Sequence, residues 1–239
     1  MRPTPTRWAW VALVTLVALT ACGGTPAPPA PVVPVASCVD EAEQRAGGVK
    51  LKRADGQTVD GLVLGAGRAA VILANQSDGD LCQWKSHAQI LAQQGYLAIV
   101  FNFSPWSGAE NDVLAAVATA RERGATEVFL MGASRGGTAV LAAAAKAQPP
   151  VNAVVSLSAP QAYSGTSAAL AMPTFTTPVL FLVGETDAPF ADETRKLYEA
   201  CAADDKRLEV FDNGRHGIAL VDAKTFDLIR DFIAKHGPG

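Results

Sequence analysis

Histidine and cysteine are scarce in this chain of 239 residues, which has three histidines and four cysteines. The cysteines form no CxxC pair, and no cysteine–histidine spacing suggests a structural zinc site. Acidic residues outnumber basic ones, giving a formal charge of −3 without a basic patch. Nucleic acid is therefore not an expected partner, and no metal or other cofactor is expected. The scarcity of histidine limits the search for a catalytic base to His87, His216 and His236.

The N-terminal region lacks an apolar run long enough to cross a membrane. Its apolar stretch at 8–19 has 12 residues, whereas a helix crossing a bilayer core of about 30 Å needs roughly 20. Arg2 and Arg7 precede the stretch, as in the charged region of a secretory signal. The pattern predicts a signal peptide at residues 1–21.

The sequence LTAC at 19–22 resembles a bacterial lipobox, in which the signal is cut before a cysteine that then carries lipid. This resemblance implies lipidation of Cys22 and a cell-envelope location outside the cytoplasm, with the lipid as the contact with a membrane. Residues 22–37 are rich in Pro and Ala and uncharged up to position 37, which predicts an extended linker. Residues 38–239 are then one domain. An ordinary signal peptide that happens to precede a cysteine is the alternative.

Cys38, Cys82 and Cys201 lie in the predicted domain. In an oxidising compartment the simplest outcome is one disulfide and one free thiol. The sequence alone does not choose the pair.

Strand-like and helix-like segments alternate after the linker. Strands are predicted at 49–53, 58–64, 69–74, 96–101, 127–131, 151–157, 178–183 and 207–211. Helices are predicted at 81–94, 111–123, 134–147, 191–203 and 225–236. This alternation predicts an α/β fold with a mostly parallel sheet covered by helices on both faces. Functional residues are then expected just beyond the carboxyl ends of strands.

The sequence GASRG at 132–136 has the pattern GxSxG between a predicted strand and a predicted helix. This context is typical of a nucleophile elbow, in which a serine stands on a sharp turn and the glycines allow strand and helix to pack closely. Ser134 is therefore a candidate nucleophile. The simpler alternative is that Ser134 only caps the helix.

A serine nucleophile needs a base and an acid that orients the base. His216 follows the last predicted strand in a loop, DNGRHG, with glycines on both sides, and is the candidate base. Asp187 follows the strand at 178–183 and is the candidate acid, in preference to Glu185 and to Asp192 in the next helix. Asp187 would hold the imidazole in the productive tautomer.

The order Ser134, Asp187, His216, each after a strand, resembles the α/β-hydrolase superfamily. The resemblance implies a three-layer fold and an oxyanion hole from two backbone N–H groups, one of which belongs to Arg135. The second belongs to the loop after the strand at 69–74. That loop reads NQSDG at 75–79 instead of the His-Gly-x-x-Gly run of many relatives. Ser77 is the expected donor, and Gln76 is the second choice.

The segment between Pro160 and Pro178 is too short for a large cap domain. The chain therefore resembles small lidless esterases and dienelactone-hydrolase-like proteins, and we expect a serine hydrolase that cleaves small-molecule carboxylic esters through an acyl-enzyme. The alternatives are a non-catalytic envelope binding module on the same fold, or a thioesterase or peptidase. Trp106, in the loop after the strand at 96–101, is a candidate for the pocket wall or for simple packing.

Overall fold

The computed structural model describes Met1 and residues 33–105 and 108–237. Three predicted features lie outside the described residues. They are the signal peptide after Met1, the part of the linker at 22–32 that includes Cys22, and Trp106. Within the described part of the chain, no helix is long and apolar enough to cross a membrane.

Strands and helices alternate through most of the described domain, as the sequence pattern predicts. The strands are β1 (Gly48–Lys52), β2 (Thr58–Leu64), β3 (Ala69–Ala74), β4 (Leu97–Phe101), β5 (Glu127–Ala133), β6 (Ala153–Leu157), β7 (Ala162–Tyr163), β8 (Thr166–Ser167), β9 (Val179–Gly184) and β10 (Lys206–Phe211). The helices are α1 (Glu41–Gly47), α2 (Cys82–Gln93), α3 (Ala109–Glu122), α4 (Arg135–Ala144), α5 (Phe190–Ala200) and α6 (Ala223–Lys235).

Eight strands form one sheet in the order β1-β2-β4-β3-β5-β6-β9-β10. β2 pairs antiparallel with β1 and with β4, and the remaining neighbours pair in parallel. In the centre, Ala74 at the end of β3 lies opposite Gly132 near the end of β5. The carboxyl ends of the parallel strands therefore meet at one edge of the sheet, which is where ligands bind in open α/β folds.

The core lies in two layers, one on each face of the sheet. Along β3, Ala70, Ile72 and Ala74 face one layer, and Val71 and Leu73 face the other, because successive strand side chains point to opposite faces. Helices α3, α4 and α5 supply the first layer, and α2 and α6 supply the second. This is the three-layer, mostly parallel architecture expected from the sequence.

A disulfide and a hydrogen bond connect the segment before α1 to the rest of the domain. Cys38 forms a disulfide with Cys82 at the start of α2, and Cys201 is a buried free thiol. Val35, in the last part of the predicted linker, accepts a hydrogen bond from the Asn102 side chain at 2.9 Å. The part of the predicted linker that is described, 33–37, therefore ends packed on the domain rather than standing free of it.

The connection between β6 and β9 contains the short hairpin of β7 and β8 and a single 3-10 turn, Met172–Thr174. Ser164 and Gly165 make the hairpin turn, both with positive φ. No large cap domain stands over the described sheet edge, as expected from the short segment at 160–178.

Candidate active site

Ser134 stands on a strained turn between β5 and α4. Its φ of 52° and ψ of −117° lie in a region that residues with a side chain rarely adopt. The turn is held by a hydrogen bond from the Ser134 N–H to the Leu157 carbonyl at the end of β6, at 2.8 Å. The residue is only 6% exposed. Capping a helix does not require this strained backbone conformation, and the Ser134 side chain makes no capping hydrogen bond.

Three glycines allow this turn to form. A Cβ on Gly132 would overlap the Gly136 carbonyl, and a Cβ on Gly136 would overlap the carbonyl groups of Ala74 and Asn75. A Cβ on Gly137 would approach the Ser156 hydroxyl to 3.0 Å. The start of α4 therefore lies directly on the ends of β3 and β5, and close backbone approach requires glycine at positions 132 and 136.

Two backbone N–H groups that are candidate oxyanion donors, those of Arg135 and Ser77, have no hydrogen-bond acceptor among the described residues. Arg135 is the first residue of α4, and the N–H groups of a first helical turn have no partner within the helix. Ser77, in the loop after β3, also donates to no acceptor among the described residues. The Gln76 N–H, by contrast, donates to the Gln83 side chain at 3.0 Å. Of the two candidate donors in this loop, Ser77 is the one left free.

Asp187 and His216 are hydrogen-bonded to each other at the same sheet edge. Asp187 follows β9 and is 6% exposed; His216 follows β10. The His216 Nδ1 lies 2.9 Å and 3.1 Å from the two carboxylate oxygens of Asp187. With its proton on Nδ1, the ring donates to the carboxylate and leaves Nε2 free to accept a proton.

The loop that carries His216 lies against the loop that carries Ser134. The Gly217 N–H donates to the buried Ser158 hydroxyl at 3.0 Å, and Ser158 follows β6, the strand next to β5. A Cβ on Gly217 would stand 3.4 Å from the Ala133 Cβ. No hydrogen bond joins the Ser134 hydroxyl to the His216 ring among the described residues, and such bonds are often long in a resting enzyme.

Two contacts at the site were not anticipated from the sequence. The Phe190 ring, in the first turn of α5, packs on the His216 imidazole with 4.1 Å between ring centroids. The Arg135 guanidinium lies 4.2 Å from the centre of the Phe103 ring and donates to the Ser104 carbonyl at 3.1 Å. Burial lowers the pKa of Arg135. The sequence signal for both was weak, since an aromatic residue in a loop or first turn is common.

The other sequence candidates lie elsewhere. His87 packs between Trp84 and Phe226 on the α2 side of the sheet, and burial lowers its pKa. His236 lies 3.5 Å from Asp205 at the end of α6. Within residues 33–105 and 108–237, no group of three or more potential ligands is arranged to hold a metal ion.

Comparison with known proteins identifies the family to which the chain belongs. Residues 104–227 match the dienelactone hydrolase family, and the match covers just over half of the chain. The chain belongs to the dienelactone hydrolase family. As a member of that family it is a carboxylic ester hydrolase, and the matched segment contains Ser134, Asp187 and His216.

Solved structures of this fold class superpose well on the dienelactone hydrolase fold of the chain. An esterase of Pyrococcus furiosus is 13% identical with a TM-score of 0.67, covering 79% of this chain and 90% of its own. A dienelactone hydrolase of Anabaena variabilis is 20% identical with a TM-score of 0.61, covering 80% and 97%. A monoacylglycerol lipase of Paleococcus ferrophilus is 16% identical with a TM-score of 0.62, covering 76% and 100%. At these identities the likeness confirms the α/β-hydrolase fold alone.

One curated relative of this dienelactone hydrolase family member is similar over a shorter segment. An uncharacterized membrane protein of Saccharomyces cerevisiae is 39% identical over 64 residues, which are 26% of this chain and 22% of that protein. The matched segment spans only about a fifth of the yeast protein's length.

Proposed function

We propose that this chain hydrolyses carboxylic esters in two steps through an acyl-enzyme on Ser134, with His216 as the base and Asp187 as the acid that orients it. The observation that carries the proposal is the Asp187–His216 hydrogen bond at the sheet edge where the strained Ser134 turn stands. A serine hydroxyl is a weak nucleophile until a base takes its proton. His216, on the adjacent loop, is that base.

In the first step the Ser134 Oγ attacks the ester carbonyl carbon while its proton passes to the His216 Nε2. The carbonyl oxygen becomes an oxyanion, which the N–H groups of Arg135 and Ser77 stabilise. The tetrahedral intermediate collapses as His216 gives the proton to the leaving alkoxide, and the alcohol departs. Asp187 stabilises the imidazolium throughout without taking its proton.

In the second step water attacks the acyl-enzyme. His216 takes a proton from the water, and the same two N–H groups stabilise the second oxyanion. Collapse returns the proton to the Ser134 Oγ and releases the carboxylic acid. The uncapped sheet edge leaves room for acyl groups of several shapes. Because the nucleophile is a hydroxyl and not a thiol, ordinary esters or lactones are preferred over true dienelactones.

A panel of p-nitrophenyl esters with increasing acyl length tests the activity. The full chain should hydrolyse at least the short members, and Ser134→Ala should lower the rate by at least about 1,000-fold. Thr138→Ser, in the same helix, is a matched control that should keep the activity. No hydrolysis above the spontaneous rate by the wild type would favour the non-catalytic binding module, and an equal, faster rate in Ser134→Ala would mean that Ser134 is not the nucleophile.

We also propose that lipid on Cys22 anchors the enzyme in the cell envelope, outside the cytoplasm. The lipobox-like sequence before Cys22 supports this. Labelling of growing cells with radioactive palmitate should mark the wild type, and Cys22→Ser should abolish the label. A labelled Cys22→Ser protein would contradict the proposal.

A further inference from the structure

Gln76 connects two loops that belong to opposite ends of the sequence. Its side-chain Oε1 accepts a hydrogen bond from the Ile218 N–H at 2.9 Å, across 142 positions of sequence. Ile218 stands two residues after His216, and Gln76 immediately precedes Ser77. The side chain is buried, with the residue 7% exposed. One amide group therefore ties the loop of the base to the loop that presents the Ser77 N–H.

The orientation of this amide is fixed from the other side. The Gln76 Nε2 donates to Asp78 Oδ1 at 2.9 Å, and the Gln83 Nε2 donates to the same oxygen at 3.1 Å. The Gln83 Oε1 closes the ring by accepting the Gln76 N–H at 3.0 Å. The two side-chain amides, with a smaller contribution from His216, lower the pKa of Asp78. The carboxylate thus stays ionised and holds the Gln76 amide with its oxygen toward Ile218.

Gly217 makes room for the connection. Its φ of +54° is left-handed, and a Cβ at this position would overlap the Gln76 Oε1. The glycine directly after His216 is therefore needed both for the turn and for the approach of the Gln76 amide. Gln76 thus supplies the hydrogen-bond acceptor, and Gly217 leaves the space that the acceptor occupies.

We propose that Gln76 is a positioning residue for ester hydrolysis, which holds the His216 loop in register with the Ser77 N–H. The inference rests on the proposed function. Among the described residues Gln76 makes no hydrogen bond to Ser134 or to the His216 ring, and it acts through the backbone at 217–218. Without the connection the base and one oxyanion donor would move independently, and a displacement of about 1 Å can cost roughly 100-fold in rate.

Three variants of the full chain test this proposal. Gln76→Leu keeps the size of the side chain and removes both hydrogen bonds. Gln76→Glu keeps an acceptor for the Ile218 N–H, and donates to Asp78 only while the introduced carboxyl is protonated. Gln89→Leu is the matched control, because Gln89 lies on α2, away from the loop of Gln76, and its side chain donates to Glu43 at 3.4 Å and to no other described residue.

Gln76→Leu should lower kcat by about 10- to 100-fold with little change in KM, while Gln89→Leu keeps the wild-type kcat. The second-order rate of fluorophosphonate labelling at Ser134 should fall in parallel with kcat. The fraction of folded protein, measured by circular dichroism, separates this loss from simple unfolding.

The pH dependence of kcat in Gln76→Glu distinguishes the positioning role from a purely structural one, which would not change with pH. The Asp78 carboxylate accepts from the side chain at position 76, and His216 in turn acts on Asp78. The Asp78 carboxylate raises the pKa of the introduced carboxyl. As pH rises, that carboxyl ionises, stops donating and repels Asp78. The ratio of variant to wild-type kcat should therefore fall between about pH 5 and 8. A negative charge acting only on His216 would raise this ratio with pH, because it would keep the base protonated at low pH.

The inference is overturned if Gln76→Leu matches Gln89→Leu in kcat and in labelling rate, or if its loss equals its unfolded fraction. A constant or rising ratio for Gln76→Glu also overturns it. The proposed function fails separately, because in that case the wild type itself is not labelled at Ser134.

Discussion

Asp187 and Glu185 lie two residues apart after β9, but their surroundings differ. Asp187 is buried and its carboxylate meets the His216 ring, whereas Glu185 is exposed to solvent. Asp192, the other alternative, is exposed in the first turn of α5, where a negative charge suits the helix N-terminus. At the scale of single residues, burial and one hydrogen bond distinguish carboxylates that look equivalent in sequence.

Replacing the buried carboxylate should disable the base. Asp187→Asn should lower kcat for ester hydrolysis by about 10,000-fold, because the amide no longer holds the imidazole in the productive tautomer. Glu185→Gln removes the same charge two residues away and should leave kcat within about twofold of wild type. Steady-state kinetics on one p-nitrophenyl ester measures both. A large loss in Glu185→Gln with an active Asp187→Asn would reverse the assignment.

The second oxyanion donor is tested by removing its proton. Ser77→Pro lacks the backbone N–H and should lower kcat by about 100- to 1,000-fold, while KM changes little. Ser77→Ala keeps the N–H and should retain nearly full activity. If Ser77→Pro folds and is as active as Ser77→Ala, the donor is another group.

Some residues of the site can be selected from the sequence, and others are found only from their contacts in the fold. Ser134, Asp187 and His216 can be selected as candidates from the sequence because each has a local signature, a glycine-containing turn or loop that follows an apolar strand. Phe190 and the side chain of Gln76 have no such signature. Their partners, the His216 ring and the Ile218 N–H, lie 26 and 142 positions away and become neighbours only when the sheet is assembled.

At the scale of elements, the approach of α4 to the strand ends depends on small residues. A Cβ on Gly136 would overlap backbone carbonyls of Ala74 and Asn75, which cannot rotate away. A Cβ on Gly137 would meet the Ala159 methyl and the Ser156 hydroxyl at 3.0 Å. At Gly137 the Ser156 hydroxyl can rotate and the nearest backbone atom, the Leu157 carbonyl oxygen, stays 3.2 Å away, so Gly137 should tolerate alanine better than Gly136.

Gly136→Ala should destabilise the fold by about 1 to 3 kcal/mol through overpacking and should also lower kcat, because α4 carries the Arg135 N–H. Gly137→Ala should be close to neutral, since alanine gains about 1 kcal/mol of helix propensity over glycine. Urea unfolding midpoints and kcat of both variants check the order. Equal destabilisation at the two positions would mean that the helix can move away from β3.

The elements that were predicted share a strong periodic or continuous apolar pattern, and their observed bounds differ by a few residues at most. Those that were missed are short. Helix α1 has seven residues and no buried side chain, although Asp40 and Glu43 form a capping box. The β7–β8 hairpin has two residues per strand, too few for alternation to show. Tertiary contacts, such as the Thr166 hydroxyl donating to buried Glu110 at 2.6 Å, hold it in place.

At the scale of the whole molecule, the disulfide joins the N-terminal segment to α2, 44 residues further along the chain. Closing a loop of this length should stabilise the fold by about 2 to 4 kcal/mol. The double variant Cys38→Ser with Cys82→Ser should show this loss in urea unfolding. Cys201→Ala leaves the disulfide intact and should respond to reducing agent as the wild type does. An unchanged midpoint for the double variant would show that packing alone fastens the segment.

We propose that three loops bring Ser134, Asp187 and His216 together into one acyl-transfer site. The most direct measurement is peptide mass spectrometry of the full chain after reaction with a fluorophosphonate. A single adduct is expected, on Ser134, and it should form much more slowly in His216→Ala. An adduct on another serine, or none under conditions where a known serine hydrolase is fully labelled, would contradict it.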